Sequence, residues 1–189
     1  MPKVLVLYHG RDLAALADAV AEGARAVRFT EVDVRRVDDV AGPAAAHRSL
    51  GSEVAPADYD GILLGAPAGS GAAAAAPTPS TDPAEVLWRR GPLVDRVGAA
   101  FTAGARDAHQ STLSSILTAM AGLGMLLVPP GPGPAPSAAD SPLGTTASAA
   151  EPTEAELDAA RRHGRRVATV VEWVAHARGH AAHGHHHHH

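Results

Sequence analysis

The sequence has no cysteine, few aromatic residues and no long apolar run. Without cysteine the chain forms no disulfide and offers neither a nucleophilic thiol nor a thiolate metal ligand. Because Phe, Trp and Tyr make up only 3% of the residues, the core must be built mainly from Ala, Val and Leu. No apolar run is long enough to span a bilayer and no targeting segment precedes the first apolar run, so we expect a cytoplasmic protein.

Lysine is almost absent as well: Lys3 is the only one, and the other members of the Lys and Arg set are arginines. The formal net charge is −4, and no cluster of basic residues marks a surface for nucleic acid. We therefore expect neither a nucleic-acid partner nor a membrane partner. The length of 189 residues suits a single domain with a sizeable core.

Four short apolar runs lie at residues 3–8, 61–64, 97–102 and 125–128. Continuous apolar runs of this length predict strands that helices cover on both faces. Residues 30–37 instead alternate between apolar and charged side chains, which predicts a strand at the edge of the sheet.

Helical patterns lie between and after these strands. The apolar stripes at helical spacing are Leu13, Leu16, Ala17 and Val20; Leu113, Ile116, Leu117 and Met120; and Val167, Val170, Val171 and Val174. Ser111 is placed to cap the second helix, and Thr153 with Glu156 forms a capping box before the third. Strands that alternate with helices predict an α/β fold with a doubly wound parallel sheet.

The turn after the first strand, His9-Gly10-Arg11-Asp12, is short and contains no serine or threonine. In nucleotide-binding α/β proteins this turn holds a phosphate at the start of the helix. Asp12 is placed to cap that helix, where its carboxylate would occupy the positive end of the helix dipole. Arg11 would supply a compensating positive charge.

Five segments resemble, in the same order along the chain, those of a known protein family. They are 3–8 (KVLVLY), 58–67 (DYDGILLGAP), 124–129 (GMLLVP), 141–146 (SPLGTT) and 152–157 (PTEAEL). Together they resemble the tryptophan-repressor-binding-protein type of NAD(P)H:quinone oxidoreductases, which are flavodoxin-like FMN proteins. The resemblance implies a flavodoxin-like three-layer α/β/α fold with a five-stranded parallel sheet in the order 2-1-3-4-5. It also implies FMN, NAD(P)H, a quinone substrate and a homo-oligomer, either a dimer or a tetramer.

The cofactor loops depart from that family pattern. The first turn is shorter, small residues follow Pro67, the loop after the fourth strand is charged, and Leu143 stands where the family usually has Tyr. These departures predict weakened or lost FMN binding. The residues that we expect at the cofactor site are His9, Gly10, Arg11, Asp12, Pro67, Ser70, Trp88, Thr102 and Gly104.

A polar cluster follows the fourth strand, at the edge where doubly wound sheets bind ligands. We predict that His109 acts as a general acid or base, that Asp107 orients it, and that Arg106 holds an anionic oxygen. The alternative is that all three belong to a solvated loop. No metal site is predicted.

Three functions remain open at this point. The first is a quinone oxidoreductase with a weakened FMN site, acting on a quinone or a related aromatic molecule. The second is a cofactor-independent acid–base enzyme that uses the emptied flavin cleft on an aromatic substrate, as in bacterial secondary metabolism. The third is a non-catalytic binding or assembly subunit.

Three further segments lack an assigned role. Residues 129–152 are rich in proline and glycine, which predicts either a lid or a disordered loop. Residues 161–166 are basic, which predicts a solvated helix face. Residues 1–178 are expected to form the single flavodoxin-like domain, and residues 179–189 a histidine-rich tail that is either disordered or a purification tag.

Overall fold

The computed structural model of the chain describes residues 1–37, 55–69, 93–134 and 141–183. The strands are β1 Lys3–Tyr8, β2 Glu31–Arg36, β3 Gly61–Pro67, β4 Val97–Ala103, β5 Leu126–Leu127 and β6 Thr145–Ala147. The helices are α1 Ala14–Arg25, α2 His109–Gly122 and α3 Glu154–His183. Short 3₁₀ turns precede α1 and α2, at Arg11–Leu13 and Arg106–Ala108. None of the helices in these ranges has the length and apolar character needed to cross a membrane.

The sheet is parallel and its strands follow the order β2-β1-β3-β4-β5, which confirms the predicted flavodoxin-like topology. Each of the three central strands is buried almost throughout, as their continuous apolar runs predict. The alternating segment forms β2, which pairs with β1 and is the edge strand among the described residues.

The two faces of the sheet have separate cores. Val4 and Val6 of β1 face the core shared with α1 and α3, whereas Leu5 and Leu7 face the core shared with α2. The predicted helical stripes supply both cores, and each of their members is buried or half-buried. Helices therefore cover both faces of the sheet.

Helices α1 and α3 cross in close contact at two glycines. A Cβ atom on Gly23 would lie 1.8 Å from the carbonyl oxygen of Arg161, and one on Gly164 would lie 1.9 Å from that of Val20. Because the obstacles are backbone atoms, no rotamer change could make room for even a methyl group. The glycines therefore permit the close packing of these helices.

The fifth position of the sheet is shared by two strands rather than one. β5 pairs with Val97 and Gly98 at the start of β4, and β6 pairs with residues 101–103 at its end. The chain between them leaves the sheet and returns to the same edge. The prediction that residues 129–152 form one irregular loop was therefore wrong, since residues 145–147 are a buried strand; residues 135–140 lie outside the described residues.

His163 on α3 joins the two parts of the divided strand. Its side chain is buried, with Nε2 3.0 Å from the carbonyl oxygen of Val128 and Nδ1 2.8 Å from the hydroxyl of Thr145. The prediction of a solvated face at residues 161–166 was therefore wrong for His163 and Gly164, which are both buried. It holds for Arg162, Arg165 and Arg166, which are exposed.

The last helix extends beyond the predicted end of the domain. Helix α3 continues to His183, so residues 179–183 are helical, whereas residues 184–189 lie outside the described residues. Near its end, His176 and His180 are one turn apart and their Nε2 atoms are 3.0 Å apart.

Candidate functional site at the carboxyl edge of the sheet

The candidate site lies where β1, β3 and β4 end side by side. In register, Tyr8 of β1 pairs with Gly65 of β3, and Pro67 of β3 pairs with Ala103 of β4. The chain order reverses between β1 and β3, so a crevice is expected at this edge, where doubly wound sheets bind their ligands. The described parts of three loops meet there: residues 9–13, 68–69 and 104–108.

The first turn is tight because Gly10 adopts a left-handed backbone conformation, with φ of 86°. The backbone N–H of His9 donates to the carbonyl of Gly65 at 3.1 Å, and that of Leu13 donates to Gly10 at 3.3 Å. A Cβ on Gly10 would lie 3.2 Å from Cγ of Pro67, so the glycine also lets the second loop approach. His9 and Gly10 are therefore held against the end of β3.

Asp12 does not cap the first helix. The residue before the 3₁₀ turn is Gly10, the residue before α1 is Leu13, and neither position has a side-chain capping hydrogen bond. Asp12 lies inside the 3₁₀ turn and is exposed, so the capping prediction was wrong. Its carboxylate still lies in the first turn, where it opposes the approach of another anion.

Hydrogen bonds join the second loop to the end of β4 and to α2. The N–H of Ala68 donates to the carbonyl of Ala103 at 2.9 Å, and the N–H of Gly69 donates to the hydroxyl of Thr112 on α2 at 2.8 Å. Gly104 has φ of 127°, and a Cβ there would lie 3.1 Å from Cβ of Ala68. These bonds hold the start of the second loop across the ends of β3 and β4, where it packs closely against Gly104.

Thr112 is a site-supporting residue that the sequence analysis did not identify. A threonine in the first turn of a helix is an ordinary residue there, and nothing in its spacing shows that a loop amide bonds to it. Thr102, by contrast, is fully buried and donates its hydroxyl to the carbonyl of Ala66 at 2.7 Å. Its predicted contact with a cofactor is corrected to a supporting role, because the hydroxyl faces the neighbouring strand.

Of the predicted acid–base group, His109 is half-buried at the start of α2, and Arg106 and Asp107 are exposed in the preceding 3₁₀ turn. Nε2 of His109 lies 2.8 Å from the carbonyl oxygen of Gly104. Since a carbonyl only accepts, Nε2 carries the proton and Nδ1 is left as the acceptor of the neutral ring. Within the described ranges, the third-loop backbone rather than Asp107 orients this histidine.

Two of the predicted cofactor residues, Ser70 and Trp88, lie outside the described residues. Ser111 does not cap α2, because that helix begins at His109 and the Ser111 hydroxyl donates to the carbonyl of Ala108. In the part of the chain that the structure describes, no three His, Asp or Glu side chains are grouped so that they could hold a metal ion.

A fourth loop reaches the same edge after β6, and the predicted capping box fixes it. Glu156 accepts hydrogen bonds from the N–H of Thr153 and the N–H of Ser148, each at 2.9 Å, and its own N–H donates to the Thr153 hydroxyl. Burial alone would raise the pKa of Glu156, but the hydrogen bonds from Thr153 and Ser148 outweigh it and lower that pKa. The capping box therefore ties α3 to the end of β6.

The residues at this edge fit a flavin phosphate, although with few donors. The N–H groups of Arg11 and Asp12 begin the 3₁₀ turn and so have no acceptor within it, and Arg11 adds an exposed cation. Ala68, Gly69 and Gly104 are small residues, so these three positions place no large side chain over the strand ends. Among the described residues, the first turn offers a phosphate backbone N–H groups and one arginine but no hydroxyl donor, and this donor set suits a weak phosphate site.

Comparisons with known proteins agree with this architecture. No protein-family model matches the chain. An NAD(P)H dehydrogenase (quinone) from Azorhizobium caulinodans is 40% identical over 196 aligned positions, which cover 90% of this chain and 98% of that protein.

Two solved structures share the fold. A WrbA-like flavodoxin from Agrobacterium tumefaciens superposes with a TM-score of 0.64 at 22% identity and covers 92% of this chain and 99% of that one. A Fusobacterium nucleatum flavodoxin bound to flavin mononucleotide superposes with a TM-score of 0.55 at 12% identity and covers 95% and 99% of the two chains. On the strength of the curated relative, this chain belongs to the NAD(P)H dehydrogenase (quinone) family of flavodoxin-like oxidoreductases.

Proposed function

We propose that this protein reduces quinones, or related aromatic molecules, with NAD(P)H and FMN, and that it holds FMN through a weakened phosphate site. One observation carries the proposal: the described parts of three loops, residues 9–13, 68–69 and 104–108, converge on the strand ends at the reversal between β1 and β3. Membership of the quinone dehydrogenase family supports the reaction class.

In this account the phosphate of FMN lies at the turn after β1. The N–H groups of Arg11 and Asp12 and the guanidinium of Arg11 would hold it, while the Asp12 carboxylate opposes it. When bound, FMN supplies a carrier that accepts hydride from NAD(P)H and passes reducing equivalents to the quinone.

The remaining contributions come from the chain itself. The hydrogen bonds of Ala68 and Gly69 fix the second loop against β4 and α2, so that it forms a rigid wall of the crevice. Nδ1 of His109, the acceptor atom of this oriented ring, would exchange a proton with a hydroquinone oxygen.

A steady-state assay tests this proposal directly. The purified protein is supplied with FMN, NADH or NADPH, and benzoquinone, and pyridine nucleotide oxidation is followed by absorbance. We expect turnover that depends on FMN. It should saturate only at FMN concentrations higher than those that saturate a flavodoxin with tightly bound FMN. No turnover above that of free FMN would overturn the proposal and favour a non-catalytic binding role.

A second function is favoured by the geometry of His109. Its fixed tautomer leaves Nδ1 as a base even without a flavin, which suits acid–base chemistry on an aromatic substrate. For that function, turnover would not depend on FMN, and His109→Ala would abolish it while the melting temperature stayed near wild type. An active His109→Ala variant would remove this candidate.

The family resemblance also leads us to propose a homo-oligomer. Val94, Leu126 and Leu127 expose apolar side chains at the β5 edge of the sheet. Exposed apolar groups at a sheet edge suit contact with another copy of the chain. Light scattering on the wild type and a Leu127→Lys variant tests this, because a monomeric wild type would contradict it.

A further inference from the structure

A cavity of about 540 Å³ lies beside the third loop, between residues 130–134 and the first turns of α3. Arg106 from the third loop and Arg162 from α3 both line it, together with Ser141 and Ser148. The prolines of residues 130–134 form an apolar wall, and Arg166 holds the start of that wall by donating to the carbonyl of Pro129. A volume of this size is in the range that accommodates a drug-sized molecule.

Two arginines, Arg106 and Arg162, and two carboxylates, Glu156 and Asp158, line this cavity. Glu156 accepts hydrogen bonds from Thr153 and Ser148, and Asp158 accepts one from Arg161 at 2.6 Å. Both carboxylates are therefore engaged. Within the described ranges neither Arg106 nor Arg162 forms a salt bridge, so both guanidinium groups are available to a ligand.

Ser141 adds a neutral donor to this set. Its oxygen accepts the N–H of Leu143 at 3.3 Å, which leaves the hydroxyl proton to donate. Two guanidinium groups and a hydroxyl suit the oxygens of a phosphate, because arginine binds phosphate through paired N–H donors. The flat proline wall suits an apolar ring attached to that phosphate.

We propose that this cavity binds the phosphate-bearing nucleotide half of NAD(P)H, with Arg106 and Arg162 on its phosphate oxygens. This inference rests on the proposed function, since it names where the reductant of that reaction is held. Arg106 belongs to the loop that also borders the cofactor crevice, so a ligand anchored here extends toward the strand ends.

Calorimetric titration with NADP⁺ tests the site independently of turnover. The proteins are the wild type, Arg106→Gln, Arg162→Gln and the control Arg165→Gln, which removes an exposed arginine of α3 that does not line the cavity. Removing one charged donor should weaken NADP⁺ binding about ten-fold or more in each cavity variant. The control should bind as the wild type does, and all four proteins should keep the same melting temperature.

Unchanged NADP⁺ affinity in both cavity variants would overturn the proposal, as would a wild type that shows no NADP⁺ binding at millimolar concentration. Equally weakened NADP⁺ binding in the Arg165→Gln control would also overturn it, because the affinity would then depend on the overall charge of the protein and not on the cavity arginines. If FMN is not retained but NADP⁺ binds through Arg106 and Arg162, the site stands and the proposed function fails. If quinone reduction proceeds with unchanged KM for NADPH in both variants, the function stands and this site fails.

Discussion

Nδ1 of His163 lies 2.8 Å from the hydroxyl oxygen of Thr145, and this contact fixes both partners. Nε2 of the same ring faces the carbonyl of Val128, which only accepts, so Nε2 carries the proton and Nδ1 accepts from Thr145. The neutral ring thus joins the two ends of the chain segment that divides the fifth strand. Burial lowers the pKa of His163 to about 4, with help from nearby Arg166 and against the hydrogen bond to Val128.

His163 should therefore make stability depend on pH. Its pKa falls from 6.5 in the unfolded chain to about 4 in the folded protein, so its contribution is complete above pH 6.5 and is lost as the pH falls toward 4. The difference corresponds to about 3 kcal/mol of unfolding free energy. Urea denaturation across this range measures the slope. His163→Gln should be less stable at pH 7 and show a flatter slope, and an unchanged slope would contradict the assignment.

Alanine at either helix-crossing glycine should destabilise the protein strongly. A Cβ on Gly23 or Gly164 would overlap a carbonyl oxygen of the facing helix, so the helices must separate, at a cost of about 3 kcal/mol or more. Gly179 is the matched control, since a Cβ there meets nothing within 4 Å and alanine favours the helix. Thermal melting should show a large loss for the first two variants and none for Gly179→Ala. Equal effects at all three positions would refute close packing as the cause.

Glu156→Gln should cost about 1 kcal/mol of stability, a typical value for the loss of a helix cap. Glutamine keeps one acceptor oxygen, so it cannot serve both Thr153 and Ser148 as the carboxylate does. Glu154→Gln is the control, because it removes the same charge from the same turn but breaks only an exposed ion pair with Arg161. Hydrogen exchange at the Ser148 amide should quicken only in Glu156→Gln. If the Ser148 amide lost its protection from exchange equally in both variants, the cause would be the lost charge at the helix dipole and not the lost hydrogen bonds.

The first turn should respond to charge changes in opposite directions. Asp12→Asn removes a carboxylate from the positive end of the helix and should tighten FMN binding about two- to five-fold, whereas Arg11→Gln should loosen it by a similar factor. Arg25→Gln, at the far end of α1, is the control and should leave the affinity unchanged. Flavin fluorescence titration measures all three. If Asp12→Asn and Arg11→Gln shift the affinity in the same direction, the phosphate does not bind at this turn.

Much of the fold was predictable because burial on both faces leaves a clear pattern. The apolar runs of β1, β3 and β4 and the stripe from Leu113 to Met120 needed no tertiary information. The divided fifth strand was not predictable from local pattern, because β6 is only three residues long, too short to show a strand pattern, and it is specified by pairing with β4. His163 was misassigned for a similar reason: its neighbours Arg161 and Arg162 suggest solvent, and only the partners Val128 and Thr145 explain its burial.

The location of the site was more predictable than its contacts. Strand order alone places His9, Pro67 and Gly104 at one edge, because parallel strands end together. The partners within that edge depend on loop conformation, which local sequence does not specify. Asp12 therefore does not cap α1, and Gly104 rather than Asp107 orients His109.

The most direct test of the central claim is the visible absorbance of the protein after it has been mixed with FMN and passed through gel filtration. The account predicts that flavin absorbance elutes with the protein, with occupancy that rises as the FMN concentration in the column buffer is raised. A protein that elutes colourless at every FMN concentration would contradict the proposed flavin-dependent function.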